Sequence, residues 1–390
     1  MIPGLILALA CSWQAPSEEA PSLGPAQDPG ASSAASTEES GSRLIDPEDG
    51  WFDVSRFLEQ PRGFLPVAVP ITEPALGYGL AGGALFLSPR EDAGAEGWAR
   101  PNMTMLGGLW TEDGSDGLFA ANSSIWAGGR VHTLVAGGEF GLDLELHGIG
   151  EDGTLEDDPL RYQLDLVGAF GESRWRLGRS DFWLGARFAF ARAEVSFEGP
   201  PSGFAEDDGV TIAGPGFSLR YDSLNNVFTP TSGAFSETSV SLFDSLFGGS
   251  RDFQLAGQDC IAYWPLGERV FLGARAGLRV SYGETPFYAR PYIDLRGVPT
   301  LRYQGDDAAS GELELRWQFH ERISLVTFGG AGLAWTNAEH FDREQSALTE
   351  GLGLRYELAR KFGLHAGLDF ARGPEENAIY VQFGSAWMRP

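Results

Sequence analysis

From about residue 62 to the C-terminus the chain alternates apolar and polar positions with a period of two, the mark of strands whose two faces meet different surroundings. In residues 269–282, Val270, Leu272, Ala274, Ala276, Leu278, Val280 and Tyr282 share one face, while Arg275 and Arg279 share the other with glycines. Residues 312–319 set Leu313, Leu315, Trp317 and Phe319 against Glu312, Glu314, Arg316 and Gln318. The last such stretch, residues 378–387, places Ile379, Val381, Phe383 and Trp387 opposite Tyr380, Gln382, Gly384 and Ala386. A soluble sandwich alternates too, so the period alone leaves a soluble multi-sheet protein open. The content of the two faces decides. The polar face mixes charges with glycine, and the apolar face carries aromatics near strand ends at Tyr282, Phe319, Phe370 and Trp387. That pattern is an apolar belt with aromatic girdles outside and a polar lumen inside. Spans of about 10 residues plus turns consume roughly 20 residues per strand. The expected fold class is therefore all-β, a transmembrane antiparallel barrel of about sixteen strands.

The start of the chain reads differently. Residues 1–10 form a short apolar run closing on Ala8-Leu9-Ala10, a cleavage site of the signal-peptide type. Cleavage there leaves Cys11 first, a position for lipidation. Residues 11–50, rich in Ser, Pro, Ala and Glu, bury too little to offset chain entropy and are expected to be a disordered acidic linker. Residues 51–61 bring aromatics back as a short lead-in that ends at Pro61, and the barrel is expected to occupy 62–390.

Composition removes several function classes. The net charge of −26 offers no basic footprint for nucleic acid. No apolar run reaches about 18 residues, which excludes a membrane-spanning helix but not a barrel. Gly77, Gly79 and Gly82 have dinucleotide-loop spacing, but a strand and a turn follow where that site needs a helix. No hydrolase, zinc-protease or phosphate-loop motif is present, and the five histidines lack ligand spacing. No catalytic residue, metal or cofactor is therefore expected. A lone lumenal His365 leaves an outer-membrane hydrolase as a distant alternative. Cys260 reads as a small strand residue.

Two stretches are more specific. Residues 219–235, "LRYDSLNNVFTPTSGAF", hold Asn-Asn followed by Pro and Gly, which make a defined turn between adjacent strands. Residues 292–317, "YIDLRGVPTLRYQGDDAASGELELRW", break the alternation with a long segment before a strand bearing two glutamates. The first resembles the turn signature of the BamA/TamA surface-antigen superfamily at Tyr221, Asp222, Asn226, Pro230, Thr231 and Gly233, with Leu224 where that pattern has Arg. The second resembles the superfamily's long loop that folds back into the lumen with an Arg-Gly pair at its tip. The resemblance runs over roughly residues 62–390. It reaches a C-terminal assembly signal at Tyr380, Phe383, Gly384 and Trp387.

The resemblance implies an outer-membrane barrel of a Gram-negative bacterium, here without POTRA domains, whose partners are outer-membrane lipid and client outer-membrane proteins. It implies a non-catalytic role in protein insertion or translocation, acting through the seam between first and last strands and the lumenal loop. It also implies that Arg296, at the bend given by Gly297, pairs with Glu314. An acid common in the superfamily on the next strand is Gly330 here, so the pair is expected to lean on Glu314 alone. Otherwise Arg296 is a solvated loop residue. The competing function is a passive channel, biased toward small anionic solutes or lipids by Arg275, Arg279 and Arg316.

Overall fold

The computed structural model describes residues 44–58, 63–88, 101–147, 159–197, 207–226, 228–336 and 345–387. The expected signal peptide, Cys11 and most of the expected linker lie outside them. A helical turn, α1 (Ser55–Leu58), leads into a single sheet. Its first half is β1 (Gly63–Ile71), β2 (Gly79–Ser88), β3 (Asn102–Thr111), β4 (Asp116–Trp126), β5 (Val131–Leu146), β6 (Leu160–Arg176), β7 (Phe182–Phe197) and β8 (Asp207–Asp222). The second half is β9 (Gly233–Phe243), β10 (Phe253–Pro265), β11 (Val270–Gly283), β12 (Asp307–Gln318), β13 (Ile323–Trp335), β14 (Gln345–Ala359), β15 (Leu364–Arg372) and β16 (Asn377–Phe383). The sixteen strands are ordered as they occur in the chain, and every neighbouring pair is antiparallel. The sheet curls into a nearly closed antiparallel barrel. Among the described residues β1 pairs only with β2, and β16 only with β15, so a seam separates the first and last strands.

The near rim is where β1 begins and β16 ends; the far rim carries the long loop 284–306. Tyr282, Phe319 and Phe370 stand exposed on the outer face, as the alternation requires. Trp387 does not. The strand ends at Phe383, and Gly384, at φ +76°, turns the chain inward so that Trp387 is buried in the lumen. A left-handed backbone there suits glycine, so the strand pattern cannot be extended through it.

The lumen is polar only in part. β5–β8 run 16 or 17 residues, against about 9–11 needed to cross a bilayer. On β6 the outward side chains near the near rim include Val167 and Trp175, and toward the far rim they become Asp165, Gln163 and Arg161. The inward side chains change in the opposite sense, from Arg174 and Glu172 to Leu166, Leu164, Tyr162 and Leu160. β7 switches likewise, with Phe188 and Phe190 giving way to Arg192 and Glu194 outside while Ala193 and Val195 are buried inside. Beyond the belt the outer face meets water and the inner face supplies a core. That core joins β2–β8 to Phe287, Tyr288, Ala289 and Leu301 of the long loop.

The linker expectation is corrected at its end. Residues 44–50 form a turn closed by an Ile45–Phe52 bridge, and that turn is docked on the near rim. Arg322, in the β12–β13 turn, is almost fully buried against Asp46, Asp49 and Asp53, with 2.6 Å to Asp53 Oδ2. Trp51 stacks on Tyr356, whose hydroxyl donates to the Phe52 carbonyl at 2.6 Å.

Candidate functional site: the lumenal loop and the seam

Loop 284–306 folds into the barrel, and its tip is Arg296-Gly297. Three strands supply the surroundings of Arg296. Its Nη2 donates to Glu312 Oε1 at 2.6 Å and to Glu314 Oε2 at 2.9 Å, both on β12. Its Nη1 donates to Asp369 Oδ2 at 2.7 Å, on β15. The guanidinium lies 3.6 Å from the Phe328 ring centroid on β13, a cation–π contact in a water-poor site. Arg355 of β14 also binds Asp369, through Nη2 at 2.8 Å. Arg296, Arg355, Glu312, Glu314 and Asp369 are all buried. Two arginines thus meet three carboxylates, and the planar fork of Arg296 serves all three acids at once.

Glu314 is therefore not the lone acceptor. Glu312 sits two residues earlier on the same inward face, and Asp369 comes from a strand that the expected pairing did not include. Both were legible as inward positions by alternation: Asp369 lies between outward Leu368 and Phe370. Sequence gave no sign that β15 faces the loop tip. Gly330 has a different task. It pairs directly with Glu312, and a Cβ there would meet the Leu295 side chain at 2.8 Å. The missing acid makes room for a loop leucine.

The loop touches both flanks of the seam. Gly297, at φ +92°, donates its N–H to the Tyr380 hydroxyl of β16 at 3.0 Å. A Cβ at Gly297 would lie 3.1 Å from the Gly373 nitrogen, so the bend also needs glycine for space. Arg302 and Tyr303 both bind Glu375, in the β15–β16 turn. On the other flank, Thr300 donates through N and Oγ1 to Glu73, just beyond β1, at 2.9 Å each. Burial raises the Glu375 carboxyl, and the Arg302 and Tyr303 hydrogen bonds outweigh this and hold it below its usual value.

The near rim is filled by the other two motifs. In the β8–β9 turn, Asp222 accepts from Leu224 N, and Asn226 Oδ1 accepts from the N–H groups of Phe228 and Thr229. Tyr221, at the end of β8, packs its ring on Phe182 of β7. Gly233, at φ +101°, starts β9. This turn does more than join neighbours. Asn226 Nδ2 donates to the Phe362 carbonyl at 2.9 Å, and the Pro230 carbonyl accepts from Arg316. The Phe228 carbonyl accepts from Ser385 N. The C-terminal residues thus meet the turn across the mouth. Trp387 packs on Tyr263, ring centroids 5.6 Å apart, and its indole N–H donates to Glu312. Of the residues expected to form a C-terminal signal, Tyr380 faces inward and Phe383 outward.

The arginines suggested for an anion path are engaged: Arg275 with Asp294, Arg279 with Asp259, and Arg316 with Pro230. His365 Nδ1 faces the Gly363 carbonyl at 3.2 Å. Cys260 is exposed on β10, beside Ser236 and Gln258.

Solved structures of BamA and CdiB share this fold. BamA from Haemophilus ducreyi lacking POTRA domains 1–3 matches with a TM-score of 0.56 and 14% identity, over 82% of this chain and 68% of that one. CdiB from Escherichia coli matches at 0.57 and 12%, over 82% and 61%. CdiB from Acinetobacter baumannii matches at 0.55 and 11%, over 82% and 59%. The chain thus spans under two thirds of the two CdiB chains. Comparison with curated proteins found no match. At these identities the likeness is one of fold. The sequence profile of the Omp85 superfamily domain matches residues 205–371, a stretch that holds the β8–β9 turn, the lumenal loop and all three acids around Arg296. Residues 205–371 thus match the Omp85 superfamily domain, within a sixteen-stranded barrel that shares the fold of BamA.

Proposed function

We propose that this barrel assists the insertion or translocation of polypeptides at the outer membrane of a Gram-negative bacterium, without catalysis. The observation that carries the reading is the arrangement at the seam. β1 and β16 share no ladder, and one loop binds Glu73 on one flank and Tyr380 and Glu375 on the other. Unpaired strand edges are costly in hydrocarbon and serve as templates for other strands. A loop that grips both flanks sets how far they separate. Its partners are then the surrounding lipid and client outer-membrane proteins.

The test is insertion of an unfolded outer-membrane barrel into proteoliposomes holding this protein. The expected result is faster insertion than in empty liposomes, with the gain reduced by Arg296→Ala. A large, steady conductance in planar bilayers with no gain in insertion would overturn the reading in favour of a passive channel.

A further inference from the structure

Residues 44–53 treat their acids and their apolar side chains differently. Asp46, Asp49 and Asp53 close on Arg322, which is almost fully buried among them. Leu44, Ile45, Trp51 and Phe52 are left 40–45% exposed. The backbone between them is paired within the turn. The Asp46 N–H donates to the Trp51 carbonyl, the Gly50 N–H to the Asp46 carbonyl and the Asp53 N–H to the Leu44 carbonyl, at 2.9 Å each. The Asp46 and Asp49 carboxylates also accept from the Glu48 and Trp51 N–H groups. Four large apolar side chains together on one short turn form a patch, not the scattered exposure ordinary for a surface.

The place of this patch says what covers it. Trp51 stacks on Tyr356, ring centroids 6.1 Å apart, and lies 5.1 Å from His320. Tyr356 shares the outer face of β14 with exposed Leu352 and Leu354. His320 follows Trp317 and Phe319, which pack on each other and stand exposed where β12 ends. Trp51 therefore extends the row of aromatics at the near-rim edge of the lipid-facing belt. Trp and Tyr favour that depth, with an apolar body toward acyl chains and a polar tip toward headgroups. Glu48, exposed and 3.3 Å from Arg360 of the β14–β15 turn, supplies a charged end suited to the water side of the same boundary.

We propose that residues 44–53 are an interfacial foot. Leu44, Ile45, Trp51 and Phe52 enter the headgroup region of the leaflet at the near rim, and Arg322 fastens the foot to the barrel. The occupant of the patch is lipid. Continuity with the belt carries that choice, because the bilayer that covers Leu354 and Trp317 reaches the turn stacked beside them. Gathering three carboxylates onto one guanidinium keeps their charge off the face that meets acyl chains, where a free carboxylate is costly. The inference requires the barrel to sit in a bilayer and is independent of what it does there.

The test places Ile45→Cys, Phe52→Cys or Glu48→Cys in the full chain carrying Cys11→Ser and Cys260→Ser. Each is labelled with an environment-sensitive fluorophore and held in nanodiscs of phosphatidylethanolamine and phosphatidylglycerol. Quenching by lipid with a nitroxide high on its acyl chain is compared with quenching by aqueous iodide. Heat-modifiable gel mobility checks that each variant is folded. Labels at 45 and 52 are expected to be quenched by the nitroxide lipid at least threefold more than the label at 48, with the order reversed for iodide. Arg322→Gln is expected to lower lipid quenching at 45 and 52 severalfold. Asp46→Asn with Asp49→Asn serves if that variant does not fold. Iodide quenching at 45 and 52 equal to that at 48 would mean a patch open to water or to a soluble partner, and overturns the inference. Lipid quenching unchanged by loss of the Arg322 clasp overturns it too.

Discussion

The two walls of the lumen are built on opposite principles. Around β5–β8 the inner face toward the far rim is apolar, and Phe287 and Tyr288 of the long loop pack into it, Phe287 edge-on to both Tyr162 and Tyr288. Around β12–β15 the inner face is charged, and one guanidinium is held by three carboxylates. The apolar wall stabilises the loop through area, which tolerates small shifts. The charged wall stabilises it through geometry, which does not, because each buried charge depends on its partner. The same loop is therefore loosely specified at one end and tightly specified at its tip.

Breaking the charged wall should have the largest effect. Arg296→Ala leaves Glu312 and Glu314 buried without its guanidinium, and Asp369 with Arg355, and is expected to cost roughly 3–5 kcal/mol, read as a lower temperature for loss of heat-modifiable mobility. Protease cleavage within residues 285–310 should rise with it. Combining it with Glu312→Gln should cost less than the sum of the two changes, because both remove the same contacts. Additive losses would mean that the acids are held independently of Arg296.

On the apolar wall, Leu164→Ala removes one buried side chain and is expected to cost about 2–3 kcal/mol by the same measure. Cleavage at the loop tip should stay unchanged. A loop tip loosened as much as by Arg296→Ala would erase the distinction between the walls.

The smallest effect is expected from acid, and it separates charged from apolar contacts at the near rim. Burial raises the Asp53 carboxyl, but hydrogen bonds from Arg322, Ser55 and Arg360 outweigh this and lower it from 3.8 to about 2. A depressed carboxyl contributes stability that is complete above its ordinary value and lost as pH falls through the folded one. Residues 44–58 should stay docked at pH 5 and detach between about pH 4 and 2, followed by Trp51 fluorescence, while the apolar seat of Phe287 persists. Detachment already at pH 5 would place the anchor elsewhere.

Much of this was legible in the sequence. Period-two alternation marked the outer face, and the break at residues 292–307 marked the loop. Arg296 and Glu314 were singled out through the resemblance to the superfamily's lumenal loop, and alternation pointed Glu314 inward. What could not be read depends on closure in three dimensions. Nothing local says that Asp369 meets a loop 73 residues away, or that Arg322 collects Asp46 across 276. Trp387 was misplaced because the alternation continues in letters after the backbone has turned at Gly384. The inversion of β6 was visible in "LRYQLDLV", where charges take the outward positions. Letters alone give that inversion no meaning, because an isolated strand does not show where the bilayer stops.

The grip of the loop on Glu73 also bears on the order in which the molecule comes together. Thr300 and Glu73 are 227 residues apart, and contacts of such separation form only after the intervening chain is in place. A chain halted before β15 has its first strand and its loop but lacks Asp369, Tyr380 and Glu375, so the staple has one leg. Both legs are in place only once β15 and β16 have joined the sheet.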